Sequence, residues 1–197
     1  MPVSPQLTTR VTNILTRPAD EWPVISTEPT DTAALMTGYA APLAAIPAIC
    51  SWIGWSLIGI GFYRRGLVSG FAAAIVSWVF ALVGAFIGAI VIEKLAPTFK
   101  SSGSTIQALK LVVYASTPMW VAGVLNLVPP LAVLVLLAGL YAIYLFYLGL
   151  PVLMKTPSDQ VIPYMIVSAI VIIVITVCLT FFAGLMAGGA YMMNRGF

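Results

Sequence analysis

Residues 108–154 hold two apolar runs of membrane length, joined by only Asn126-Leu127-Val128-Pro129-Pro130. A bilayer crossing takes about 20 predominantly apolar residues, and a connector this short allows two such runs to pair only as an antiparallel hairpin. Within hydrocarbon the backbone must satisfy its own hydrogen bonds, so runs of this kind are read as helices. The first of them also carries Lys110, Tyr114, Ser116, Thr117, Pro118, Trp120 and Asn126. This is the densest group of polar or helix-breaking residues in the apolar part of the chain, and the place where a working centre is expected.

The rest of the sequence agrees with a membrane solvent. Hydrophobic residues make up 61% and charged residues 8% of the 197, against roughly 45–50% and about 25% in soluble domains. The charges are segregated: Asp20, Glu21, Glu28 and Asp31 lie in the N-terminal tail and most others in short connectors. Burying an ion in hydrocarbon is costly, which explains that distribution. The fold class is therefore all-α, a polytopic membrane protein.

Several chemistries lack their ingredients. The chain has no histidine, which removes Ser–His and Cys–His nucleophiles, His-ligated metals and haem. Gly66-Leu-Val-Ser69-Gly70 has the wrong spacing for a serine-hydrolase elbow, and no histidine is present to activate Ser69. Cys50 and Cys178 both fall in apolar runs, where a thiol behaves as a small hydrophobe. No cofactor or metal is expected, and a non-enzymatic protein is. The net charge of +3 is small and scattered, unlike the clustered basic face that nucleic acid requires.

Residues 1–37 form a tail ahead of a transmembrane region spanning 38–193. The tail has neither the apolar core nor the cleavage site of a secretory signal. At 100° per residue Leu7, Val11, Ile14 and Leu15 fall in one arc, flanked by Arg10 and Arg17, and Pro18 ends the helix. A second short helix opens with Pro18, Asp20 and Glu21 and offers Trp22 and Ile25. Both are expected to lie flat on the bilayer as amphipathic interfacial helices, with Arg10, Arg17 and Trp22 at the headgroups. The alternative is a tail without fixed structure.

Five spans follow, at about 39–61, 67–92, 108–128, 131–154 and 163–192. Thr30-Asp31 is placed to cap the first, and Pro42 and Pro47 should bend it. The second holds Gly84 and Gly88, and the fifth Gly184 and Gly188, each pair a GxxxG that suits either packing within the bundle or pairing with another chain. In the third, Lys110, Tyr114, Thr117 and Val121 share one helical face. Pro118 breaks the bond to the Tyr114 carbonyl, which the hydroxyl of Ser116 or Thr117 is placed to satisfy. In the fourth, Tyr141, Tyr144 and Tyr147 form a ridge. With the N-terminus cytoplasmic, Arg10, Arg17, Lys94, Lys100, Lys110 and Lys155 lie inside, and Arg64, Arg65 and Arg195 outside. The positive-inside rule then places the C-terminus on the opposite side of the membrane.

Tyr114-Ala-Ser-Thr-Pro118, then Pro129, Tyr141-x-x-Tyr144-Leu-x-x-x-Leu148-Gly149-Leu150 and Lys155-Thr-Pro157 resemble the Yip domain of Ypt/Rab-interacting proteins and of many short bacterial membrane proteins. Pro18-Ala-Asp-Glu-Trp22-x-x-Ile25 with Glu28 looks like the lead-in of the bacterial branch. The resemblance covers nearly the whole chain and implies five transmembrane helices with a cytosolic N-terminus. In eukaryotic members it implies small-GTPase binding through a longer cytosolic region, which a tail of 37 residues does not supply. It assigns no catalytic residues.

Two functions remain in view. One is a module that packs with itself or with other membrane proteins and organises or shapes the lipid bilayer. The other is a conduit for a lipid or small solute along the Lys110, Tyr114 and Thr117 face. Lys110 opens its span, so it is also placed to snorkel to the headgroups.

Overall fold

The computed structural model describes residues 7–60 and 64–174. We label its helices in chain order: α1 (Leu7–Thr16), α2 (Pro18–Thr27), α3 (Thr32–Ile58), α4 (Leu67–Phe99), α5 (Thr105–Leu127), α6 (Pro129–Met154) and α7 (Val161–Val174). Helices α3 to α6 are long and apolar enough to cross a membrane, and α7 is a shorter apolar helix. The chain is thus a multi-pass all-α membrane protein. The expected fifth span is represented by α7 up to Val174, and the rest of it lies outside the described residues, as do Cys178, Gly184, Gly188 and Arg195.

Local chemistry accounts for the breaks in the helices. Asp31 caps α3 as the sequence suggests, its carboxylate accepting from the Ala34 amide at 2.7 Å. Pro42 cannot donate to the carbonyl one turn back. The helix widens just before it, over Met36–Ala40, where the Ala41 amide reaches back five residues to Met36. A neighbour packs in at this point: the Trp78 indole donates to the Ala41 carbonyl at 2.8 Å. α5 breaks at Ser116, between Thr105–Ala115 and Thr117–Ala122, because Pro118 follows. The Ser116 hydroxyl donates to the Val112 carbonyl at 2.8 Å, and not to Tyr114.

α5 is the central helix. Of its apolar window 61% is buried, against 33% or less in the other three spans. It packs against α3, α4 and α6, while α2 lies on α6. Asn126 to Pro130 forms the tight hairpin between α5 and α6, built from two short 3₁₀ turns. The outer faces of α4 and α6, with Val68, Phe80, Leu136 and Leu140, are exposed and apolar. A water-soluble monomer rarely exposes contiguous apolar surface of this kind, whereas lipid covers it at no cost.

One end of the bundle gathers the tail, the connector after α4 and the connector after α6. Gln107 and Lys110 of α5 reach the end of α2, and Ser101 bonds Thr156 at 2.8 Å. The other end holds the hairpin, where the Asn126 and Leu127 carbonyls sit against Gly54.

Candidate functional site

The site begins with the end of a helix. The last carbonyls of an α-helix have no partner within it and carry partial negative charge. At the end of α2 these groups point at α5, one turn of which supplies two donors. The Lys110 ammonium donates to the carbonyls of Ile25 at 2.7 Å and Glu28 at 2.6 Å. The Gln107 amide donates to the carbonyl of Ser26 at 3.0 Å. Lys110 is therefore a helix cap supplied from another helix, and is only 3% exposed. The expectation that it snorkels to the headgroups is corrected: the tail covers it first.

Arg10 of α1 completes the charge balance. It is 2% exposed and ion-paired with both Glu21 and Glu28. Its guanidinium also lies over the Tyr114 ring, 5.9 Å from the centroid. Two cations and two carboxylates thus share one buried cluster whose formal charges cancel, the condition under which ions tolerate burial. The expectation that Arg10 lies at the headgroups is corrected for the same reason. Arg17, by contrast, is exposed.

Trp22 is the third departure from a flat interfacial tail. It is 0% exposed, lies with Leu111 of α5 against Gly149 of α6, and is edge-on to Tyr114 at 6.4 Å. A Cβ at Gly149 would lie 2.8 Å from the Trp22 ring, so the indole fits only because that residue has no side chain. Tyr141 fastens the other tail helix by donating to the Leu15 carbonyl at 2.8 Å. The apolar arc of α1 and α2 is as the periodicity indicates, but it faces protein.

Deeper along the same α5 face, Thr117 is fully buried and shares a hydrogen bond of 2.9 Å with Tyr39 of α3. Tyr39 packs on Tyr114 at 4.6 Å. Between tail and bundle remains a cavity of about 180 Å³, bordered by Arg10, Glu28, Leu35, Tyr39, Lys110 and Tyr114.

The structure thus brings together Lys110, Tyr114 and Thr117 with Arg10 and Trp22. Pro118 and Trp120 are buried on α5, and Ser116 is half-buried. Asn126 stands apart, in the 3₁₀ turn at the hairpin end of α5. Gly88 is buried against Val112 and Ile172, both at 3.7 Å, while Gly84 is exposed with nothing within 4 Å of a Cβ placed there. Sequence reasoning missed Gln107, Glu21, Glu28, Tyr39 and Gly149 as parts of the site. A signal existed for Arg10: it borders the apolar arc closely enough to be carried inward, and Glu21 and Glu28 are the nearby acids.

The arrangement holds a helix in place. The Lys110 ammonium is engaged by carbonyls, the Arg10 guanidinium by carboxylates, and the Tyr39 and Thr117 hydroxyls by each other. The geometry joins a tail to a bundle.

Comparison with known proteins places this architecture. The sequence matches the profile of the Yip1 domain over residues 12–191. It is similar to the inner membrane protein YohC of Escherichia coli strain K12, 28% identical over 159 residues that cover 76% of this chain and 81% of the relative. The same protein of Escherichia coli O6:H1 strain CFT073 matches equally. No solved structure matches. With the profile spanning tail and bundle alike, the chain belongs to the Yip1 domain family.

Proposed function

We propose that this integral membrane protein is a non-enzymatic module that organises or shapes the bilayer through helix packing and partner binding. The inner membrane is its location, as the name of its relative YohC suggests. In this reading the N-terminus is cytoplasmic and the C-terminus lies opposite, in keeping with the basic residues gathered at the tail end of the bundle.

The observation that carries the reading is the occupation of the α5 polar face. Lys110, Tyr114 and Thr117, the residues suited to line a path, are covered by the chain's own tail and by α3, with only the cavity of about 180 Å³ left beneath the tail. What the protein offers its surroundings is apolar helix surface on α4 and α6, where Val68 is 85% and Leu136 71% exposed. Such surface serves lipid and neighbouring helices.

Photo-crosslinkers at Val68 and Leu136 in native membranes test this. Discrete protein adducts of fixed mass are expected. Recovery of monomer alone, with no protein adduct from either position, would count decisively against partner binding. In liposomes the reading expects solute and lipid flux at background level, unchanged by Lys110→Leu or Thr117→Val.

A further inference from the structure

Two lysines end helices in a conformation that lysine disfavours. Lys100 follows α4 with φ 52°, and Lys155 follows α6 with φ 51°. They are the only non-glycine residues with positive φ among those described. The left-handed region costs an ordinary residue roughly 1–2 kcal/mol, and glycine is the usual occupant of this position after a helix. Both helices thus close on a lysine where a glycine would be easier.

The two positions are also tied together. The Ser101 hydroxyl donates to Thr156 at 2.8 Å, and the Ser102 amide to the Met154 carbonyl at 2.8 Å. Ser101 and Thr156 are buried, while both lysine side chains are exposed. The residue after each lysine is therefore a hydroxyl of one clasp, which brings the backbone at the two lysines together on the rim of the bundle. They sit where two membrane-length helices end, the depth of the lipid headgroups. Other charged groups at this end are the Arg10, Glu21, Glu28 and Lys110 cluster under the tail, Lys94, exposed near the end of α4, Glu93, which accepts from Thr105 at 2.7 Å, and Asp159, which lies within reach of the Lys100 charge.

We propose that Lys100 and Lys155 form a paired site for a phosphate oxyanion, supplied by the headgroup of an anionic phospholipid. Two exposed lysines rising from adjoining helix ends have the reach to share the oxygens of one phosphodiester.

The experiment uses the full chain in neutral detergent, titrated with phosphatidylglycerol, with phosphatidylcholine, or with inorganic phosphate, and read by native mass spectrometry and thermal unfolding. Phosphatidylglycerol is expected to bind in preference to phosphatidylcholine. Lys100→Gly with Lys155→Gly should weaken that binding about thirtyfold, at roughly 1 kcal/mol for each lysine near a charged surface. The same pair should raise the melting temperature in lipid-free detergent, because glycine removes the backbone strain. Lys100→Asn with Lys155→Asn tolerates positive φ without charge and should lose the lipid equally. Inorganic phosphate that competes only at the wild-type pair would assign the site to a soluble phosphate instead. Unchanged phosphatidylglycerol binding in both double variants, or an equal loss on Lys94→Gln, would overturn the proposal.

Discussion

The indole of Trp22 fills the space that a side chain at Gly149 would occupy, with a Cβ there only 2.8 Å from the ring. That contact joins the tail to the membrane bundle across most of the chain. It also explains why Trp22 is completely buried, when a tryptophan near a membrane commonly sits at the interface.

Gly149→Ala should therefore loosen the tail without unfolding the spans. The new methyl meets the Trp22 ring and also Leu111, whose Cδ1 lies 2.7 Å away. Overpacking of this kind costs about 1–3 kcal/mol. Amide exchange in nanodiscs should speed up over residues 7–27 and stay slow in α4. Trp22→Ala in the same background should remove most of the added penalty, since residues in contact do not behave additively. Unchanged exchange in the tail of Gly149→Ala would show that the wedge is not what holds it.

Lys110→Met addresses the cap. It strips the carbonyls of Ile25 and Glu28 of their charged donor and leaves Arg10 alone against Glu21 and Glu28. Hydrogen bonds to charged groups are worth about 1.5–3 kcal/mol, so α2 should lose protection by one to two orders of magnitude at its last turn. Gln107→Leu removes a neutral donor from Ser26 and should cost about 1 kcal/mol. Limited proteolysis after residue 27 in detergent, compared across both variants, checks the order.

Part of this site was legible in the sequence. Lys110, Tyr114 and Thr117 repeat at helical spacing, so their common face follows from periodicity alone. The hairpin at Pro129-Pro130 and the Asp31 cap follow from backbone chemistry in the same way. What covers the face does not follow. The apolar arc of Leu7, Val11, Ile14 and Leu15 looks the same whether it lies on lipid or on helices, because both are apolar solvents. The choice was made by Arg10, which needs carboxylates when buried, and by Gly149, which leaves room for Trp22. Those pairings join residues far apart in the chain, and a single sequence does not reveal them. The glycines mislead for a related reason: GxxxG marks a small face but does not say which of its members is used.

Tyr39→Phe and Thr117→Val remove one hydrogen bond from opposite sides. Each should lower stability by about 1 kcal/mol, read as a drop in the melting temperature of the purified protein in detergent. The double variant should lose little more than either alone, since the bond is already gone and the partner left behind is no longer polar. Additive losses would show that the two groups act independently, against the 2.9 Å contact.

The glycines give the last prediction, a ranking set by what a Cβ would meet. At Gly123 of α5 it would lie 2.8 Å from the Pro47 Cα, a backbone atom of α3 that has no rotamer by which to yield. Gly123→Ala must therefore separate α3 from α5, and should cost about 1–3 kcal/mol. At Gly88 the nearest atoms are side chains at 3.7 Å, ordinary contact, so Gly88→Ala should be near neutral. At Gly84 nothing lies within 4 Å, and alanine restores the helix propensity that glycine lacks, about 0.8–1.0 kcal/mol. Melting temperatures in detergent should fall for Gly123→Ala, hold for Gly88→Ala and rise for Gly84→Ala. A fall for Gly84→Ala in native membranes but not in detergent would mean that the exposed glycine is covered by another chain, and would move the pairing surface to α4.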